Sequence, residues 1–200
     1  MKKIIAFIIA FLIFATASAV SAATVQHKVI KGESMWIISV KYKVGLQEII
    51  AANPQVKNPN LIYPGQILNV PLVPQEVTSF EQHVISLTNQ QRSKYGLKPL
   101  THNWELSRVA RIKSQDMHDR NYFSHNSPTY GSPFTMIKNF GISYRTAGEN
   151  IAKGYATPQA VVNGWMNSSG HRANILNASF TQIGVGYYAS GHYWTQMFIG

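Results

Sequence analysis

The 200 residues contain no cysteine. That excludes disulfides, cysteine-based metal sites and thiol catalysis, including the cysteine peptidases that cut wall peptides. It also excludes a lipid-modified cysteine at the N-terminus. Acidic side chains are scarce, 8 against 18 Lys and Arg, for a formal charge of +10. Such an excess suits an anionic partner: nucleic acid, an acidic membrane or an acidic cell wall. Lys and Arg form no run, so nucleic acid is not expected. Beyond the first two dozen residues there is no apolar stretch long enough to span a bilayer.

Residues 1–22 carry the pattern of an export signal: Lys2 and Lys3, then an apolar core from Ile4 to Ala15, then the small-residue stretch Val20-Ser21-Ala22. Cleavage after Ala22 is expected, because the apolar run is short for an uncleaved anchor. No stable membrane anchor then remains, and the mature chain carries +8. At 45% apolar residues the full chain is globular, with room for one or two domains.

The scarcity of acids singles one out. Glu149 is the only carboxylate side chain after Asp119. It stands in Gly148-Glu149-Asn150-Ile151, read as loop or loop-to-helix. His125 in Phe123-Ser124-His125 and His171 in Gly170-His171-Arg172 are its candidate partners. Two imidazoles and a carboxylate can bind a metal or move a proton. Equally, they can satisfy one another in a structural hydrogen-bond network.

The first folded unit is expected over residues 27–71, in the order β-α-α-β. Lys28-Val29-Ile30 reads as a strand. Ser34 is placed to cap a helix with Met35, Ile38 and Tyr42 on one face, ended at Gly45. Leu46, Ile49 and Ile50 mark a second helix, ending near Asn53-Pro54. Pro64-Gly65 fits a type II turn before a strand from Ile67 to Val70. The segments Gly32-Glu33-Ser34-Met35-Trp36, Ala52-Asn53-Pro54, Tyr63-Pro64-Gly65-Gln66 and Val70-Pro71 together resemble a LysM domain. The resemblance implies binding to N-acetylglucosamine-containing glycan, in bacteria usually peptidoglycan. It places the groove between Gly32, Glu33, Ser34 and Met35 on one side and Asn60, Leu61 and Ile62 on the other. The family more often has aspartate where Glu33 stands.

Residues 72–79 read as a linker and 80–200 as a second unit. Phe80, Val84, Leu87 and Tyr95 form a helical stripe stopped at Gly96. Asn103 caps a helix with Leu106, Val109, Ala110 and Met117 on one face. Phe123 to Pro133 reads as loop, and Thr157-Pro158 starts another helix. Gln182 to Tyr188 and Tyr193 to Phe198 read as strands joined at Ser190-Gly191. Helices around a small late sheet give an α+β class with a three-layer arrangement.

Phe123-Ser124-His125, Gly148-Glu149-Asn150-Ile151, Trp165-Met166-Asn167-Ser168, Gly170-His171-Arg172-Ala173-Asn174-Ile175-Leu176 and Ile183-Gly184-Val185-Gly186-Tyr187 resemble the CAP superfamily. That superfamily comprises cysteine-rich secretory proteins, antigen 5 and pathogenesis-related proteins. The resemblance is to its bacterial branch, whose secreted members often pair it with LysM and in spore-formers include sporulation-associated proteins. It implies an α-β-α sandwich with a cavity holding two histidines and two acids. His125, Glu149 and His171 match three of these, but Ser168 stands where relatives have the second acid. The expectation is a secreted protein of the cell wall or spore envelope. LysM would anchor it to peptidoglycan, and its CAP domain would bind a ligand or a wall or spore protein rather than catalyse. The alternative is a metal-dependent hydrolase, with Zn²⁺ on His125, His171 and Glu149. Two weaker readings are a peptidase using Ser124 and His125, and a muramidase in which Asp116 or Asp119 faces Glu149.

Overall fold

The computed structural model describes residues 23–200; the expected export signal, 1–22, lies outside them. Four elements make the first unit: β1 (Thr24–Lys28), α1 (Met35–Tyr42), α2 (Leu46–Ala51) and β2 (Ile67–Pro71). The two strands are antiparallel, with His27 opposite Leu68. The first strand thus begins at Thr24, ahead of the expected 28–30, because that stretch finds its ladder partner in β2. The Ser34 hydroxyl caps α1 by accepting from the Ile37 N–H at 3.2 Å. That helix ends at left-handed Lys43 (φ 54°), and Gly45 opens α2 rather than closing α1. Met35, Ile38, Ile49, Leu68 and Val70 form the core. Buried Asn53 fastens α2 to β2: its amide donates to Ile49 O and Asn69 O, each at 2.7 Å, and its Oδ1 accepts from Asn69 N at 2.8 Å. Gly65 adopts φ +90°, as the expected type II turn requires.

Helix α3 (Gln75–Lys94) follows at once, so residues 72–74, not 72–79, connect the units. The helix starts early because Val77 and Phe80 extend its apolar stripe onto the core. The second unit then adds β3 (Thr101–His102), α4 (Trp104–Asp119), α5 (Pro133–Asn139), β4 (Ala147–Lys153), α6 (Pro158–Asn167), α7 (Ser169–Ile175), β5 (Gln182–Tyr188) and β6 (Tyr193–Ile199). The sheet order is β3-β5-β6-β4, antiparallel except for the short β3–β5 pair. Asn103 and Thr157 cap α4 and α6 through their side chains.

Strand alternation sorts the core into two layers. Ile183, Val185, Tyr187, Trp194 and Phe198 pack under α3, α6 and α7. Met197 and Ile199 face the other way, onto α4 and α5. Helix α4 can approach β5 closely because glycines face it: a Cβ on Gly186 would stand 2.0 Å from the Arg111 nitrogen. The result is the expected α-β-α sandwich. Besides the short β3 and α7, two of its elements are absent from the sequence expectation. One is α5, opened by the Ser132 hydroxyl and Pro133. The other is β4, which holds Glu149 on a strand rather than in a loop, because its backbone pairs along the length of β6.

Candidate functional site

Strand β4 carries Glu149 inward, leaving its side chain 1% exposed. There its Oε1 meets His125 Nδ1 at 2.7 Å. His125 comes from the loop after α4, and its side chain is half exposed. That loop is held from beneath by α4. The fully buried Lys113 ammonium donates to Ser124 O at 2.8 Å, His125 O at 2.9 Å and the Tyr122 hydroxyl at 3.0 Å. One turn on, Asp116 accepts from the hydroxyls of Tyr122, Ser127 and Thr129 at 2.6–2.7 Å.

The other motif residues close the open side of β4. Asn174 donates to Glu149 O at 3.1 Å and Asn150 Oδ1 at 2.9 Å. Asn150 donates to His171 O at 3.1 Å and Gln196 Oε1 at 3.0 Å. The Trp165 indole donates to Ile151 O at 3.3 Å. An edge strand has unpaired backbone groups, and these side chains satisfy them while locking α6 and α7 to the strand. Lys113, Asn150 and Asn174 therefore belong to the site's frame. Sequence reading passed over them individually, although both asparagines lie inside the motifs that carry the resemblance.

Charge in this region is set by burial and by these contacts. Burial pushes the Glu149 carboxyl above its usual range, against the opposing pull of His125 and Lys113. The bond to Glu149 raises His125. Burial, then the nearby charge of His125, lowers His171. Burial also lowers Lys113, opposed by Glu149 and Asp116. Glu149 Oε2 is buried and has no hydrogen-bond partner among the described residues. A half-exposed imidazole backed by a buried carboxyl can exchange a proton with a ligand, and the free oxygen can accept a hydrogen bond from one.

Two of the three expected residues share a hydrogen bond, and the third, His171, lies near enough for the charge of His125 to lower it. His171 lies on α7, tied to β4 through its main-chain oxygen rather than its ring. Among the described residues no group of three or more His, Cys, Asp or Glu is gathered to hold a metal ion. The zinc set of His125, His171 and Glu149 is thus not assembled, and Ser168, at the junction of α6 and α7, adds no carboxylate. The Ser124–His125 pairing is also absent: Ser124 Oγ accepts from Asn126 N, and His125 turns to Glu149. Asp116 is committed to its three hydroxyls and Arg120, and Asp119 to His118, so neither faces Glu149 as a second acid.

In the first unit, the residues expected at the groove split into frame and surface. Glu33 accepts from His27 Nε2 at 2.6 Å and Ile30 N at 3.0 Å. The His27 bond, first among several, holds its carboxyl down at about 2. Met35 is buried in the core, so its side chain cannot face a glycan. Ser34 is occupied as a cap, and Ile62 packs partly against the core. What these positions offer outward is backbone at residues 32–35, with exposed Asn60 and Leu61 opposite. Exposed Ile30 and Tyr63 flank the same two loops. Sequence reading missed both, though each is a large apolar residue placed where the chain turns.

The profile of the cysteine-rich secretory protein family, CAP, matches residues 85–198, and that of the LysM domain matches residues 27–71. The chain is 65% identical over 127 residues to the uncharacterised protein YkwD of Bacillus subtilis, covering 64% of this chain and 49% of YkwD. It is 41% identical over 77 residues to a protein named a probable autolysin, SsaALP, of Staphylococcus aureus, covering 35% of this chain and 26% of that protein. A crystal structure of an extracellular SCP-domain protein from Bacillus anthracis superimposes with a TM-score of 0.60 at 37% identity, covering 68% of this chain and 47% of that one. The chain thus spans about half or less of the length of these relatives. No helix among the described residues is long and apolar enough to cross a membrane.

Proposed function

Since the chain belongs to the cysteine-rich secretory protein (CAP) family and carries a LysM domain ahead of the family fold, we propose that it is an exported, wall-associated protein. In this reading LysM holds it to N-acetylglucosamine-containing glycan, peptidoglycan in the wall. The CAP domain presents the His125–Glu149 pair to a ligand or partner, in a binding or accessory role. The observation that carries the reading is the first unit's surface. Backbone at 32–35 is held rigid by Glu33 and Ser34, and it is flanked by the exposed side chains of Asn60, Leu61 and Tyr63. Sugars are bound by such pairings of fixed polar groups with apolar faces. The basic charge of the chain adds attraction to an acidic wall. Extracellular and autolysin-named relatives support the same placement. Association with the spore envelope, through a wall or spore protein, is the narrower form of this reading. Metal-dependent hydrolysis has no geometric support, since among the described residues no group of three or more His, Cys, Asp or Glu is gathered to hold an ion.

The full chain should sediment with purified peptidoglycan, and chitin oligomers should compete it off. Leu61→Ser should weaken the binding several-fold. Binding that disappears in moderate salt and ignores chitin oligomers would reduce the interaction to charge attraction.

A further inference from the structure

We propose that Ser190, His118 and Asp119 form a second reactive centre, a serine–histidine–aspartate relay that hydrolyses small-acyl carboxylic esters, distinct from the His125–Glu149 pair. His118 and Asp119 close α4, and Ser190 stands at the tip of the β5–β6 hairpin. His118 Nδ1 lies 2.7 Å from Asp119 Oδ1, and His118 Nε2 lies 3.0 Å from Ser190 Oγ. The carboxylate keeps the imidazole proton on Nδ1, so the Nε2 lone pair faces the serine hydroxyl. The second oxygen of Asp119 accepts from Gln115 Nε2 at 3.2 Å, which orients the acid. The rings of Tyr188 and Tyr193 flank the imidazole, at 4.7 and 5.9 Å between centroids.

Ser190 is exposed, and Gly191 beside it takes the left-handed conformation (φ 77°) that the tight tip requires. Among the described residues the N–H groups of Ser190 and Gly191 donate to no protein acceptor, so they can stabilise charge developing on a carbonyl oxygen. In the first step Ser190 Oγ bonds to the ester carbonyl carbon while its proton passes to His118 Nε2. Collapse of the tetrahedral adduct breaks the ester C–O bond, and the proton goes to the leaving alkoxide. Water, deprotonated by Nε2, then releases the acid and restores Ser190. No oxidant, reductant or metal enters this balance. The site is open to solvent, which leaves room for an ester of a bulky alcohol, and a small acyl group needs no pocket of its own there.

The same contacts also staple the hairpin to the helix, and covalent labelling and hydrolysis are readouts that a staple alone would not give. The test treats the full chain with a fluorophosphonate probe, locates the label by mass spectrometry, and follows p-nitrophenyl acetate hydrolysis. Ser190 should be labelled, and Ser190→Ala should abolish both readouts. His118→Ala should slow both by about 10²–10⁴-fold. Asp119 acts through His118 as a positioning residue, so Asp119→Asn should lower kcat with KM and the melting temperature unchanged. An unlabelled chain, a label on another serine, or an Asp119→Asn variant with unaltered kcat would overturn the proposal.

Discussion

At the scale of single residues, the candidate site is a problem in holding charge. Glu149 is buried and His125 half exposed, and both retain their protons more tightly in the fold than in the unfolded chain. A raised folded value means stability that is complete below the ordinary value and disappears as pH rises through the folded one. The loss therefore begins above 4.5 for Glu149 and above 6.5 for His125, and the two titrate as a pair. NMR titration of the His125 ring should give a midpoint above 6.5. Glu149→Gln should bring it down, since the bond to the carboxylate is the main cause of the rise. Lys113→Met should move it further up, since the ammonium charge opposes protonation of His125. A midpoint indifferent to both substitutions would separate His125 from Glu149 in solution.

At the scale of elements, stability rests on how helices close the sheet, since no disulfide is available. Trp165 is 1% exposed and serves two functions on α6: its ring fills the layer under α3, and its N–H caps the edge of β4. Trp165→Ala should cost about 3–5 kcal/mol in denaturant unfolding. Trp165→Phe keeps most of the ring but leaves Ile151 O unpaired, and should fall well short of that loss. Equal losses for both would assign the effect to the hydrogen bond alone. On the opposite edge, part of β5 is closed by side chains in the same way: Val185 N–H donates to Ser107 Oγ at 3.0 Å and Tyr187 N–H to Glu81 at 3.1 Å. Burial pushes that glutamate up to about 7, against the pull of Arg111.

At the scale of the whole molecule, the two units are joined by more than residues 72–74. Arg108 on α4 holds Glu48 on α2 with both carboxylate oxygens, at 2.7 and 2.8 Å, and lies over the Phe140 ring. Gly45 packs so closely that an added Cβ would stand 1.8 Å from Glu48 Oε2 and 2.1 Å from Arg108 Nε. These contacts tie the LysM unit to the unit that carries His125 and Glu149. Arg108→Glu should increase the radius of gyration in small-angle scattering and separate the thermal transitions of the two units. The charge swap Glu48→Arg with Arg108→Glu should restore one transition, with a coupling of about 1 kcal/mol. If the single substitution changes neither, the bridge does not orient the units.

By itself the sequence determined what depends on neighbours along the chain. Ser34, Asn103 and Thr157 announce helix starts because a short polar side chain there satisfies a free N–H. The stripes of α3 and α4 announce buried faces because the helical period brings them together. The alternation and turn residues around Ser190-Gly191 announce the last hairpin, and the motifs announce a LysM unit followed by the CAP fold. Only the tertiary structure decided the partnerships. Strand β4 carries no alternating pattern, because the sandwich buries both its faces, and it becomes a strand through β6, whose paired residues lie 40 to 52 positions away. That pairing delivers Glu149 to His125, and Asn150 on the same strand holds the main-chain oxygen of His171 on α7. Lys113 falls on the apolar face of α4, between Val109 and Met117, and it can be buried there because three oxygens from the loop above converge on its ammonium. Met35 and Glu33 stand in the expected groove segment, but the core claims one and His27 the other. The order of residues sets local backbone preference and periodicity. Which side chains meet depends on long-range packing, where a single strand register decides the partners of every residue on it.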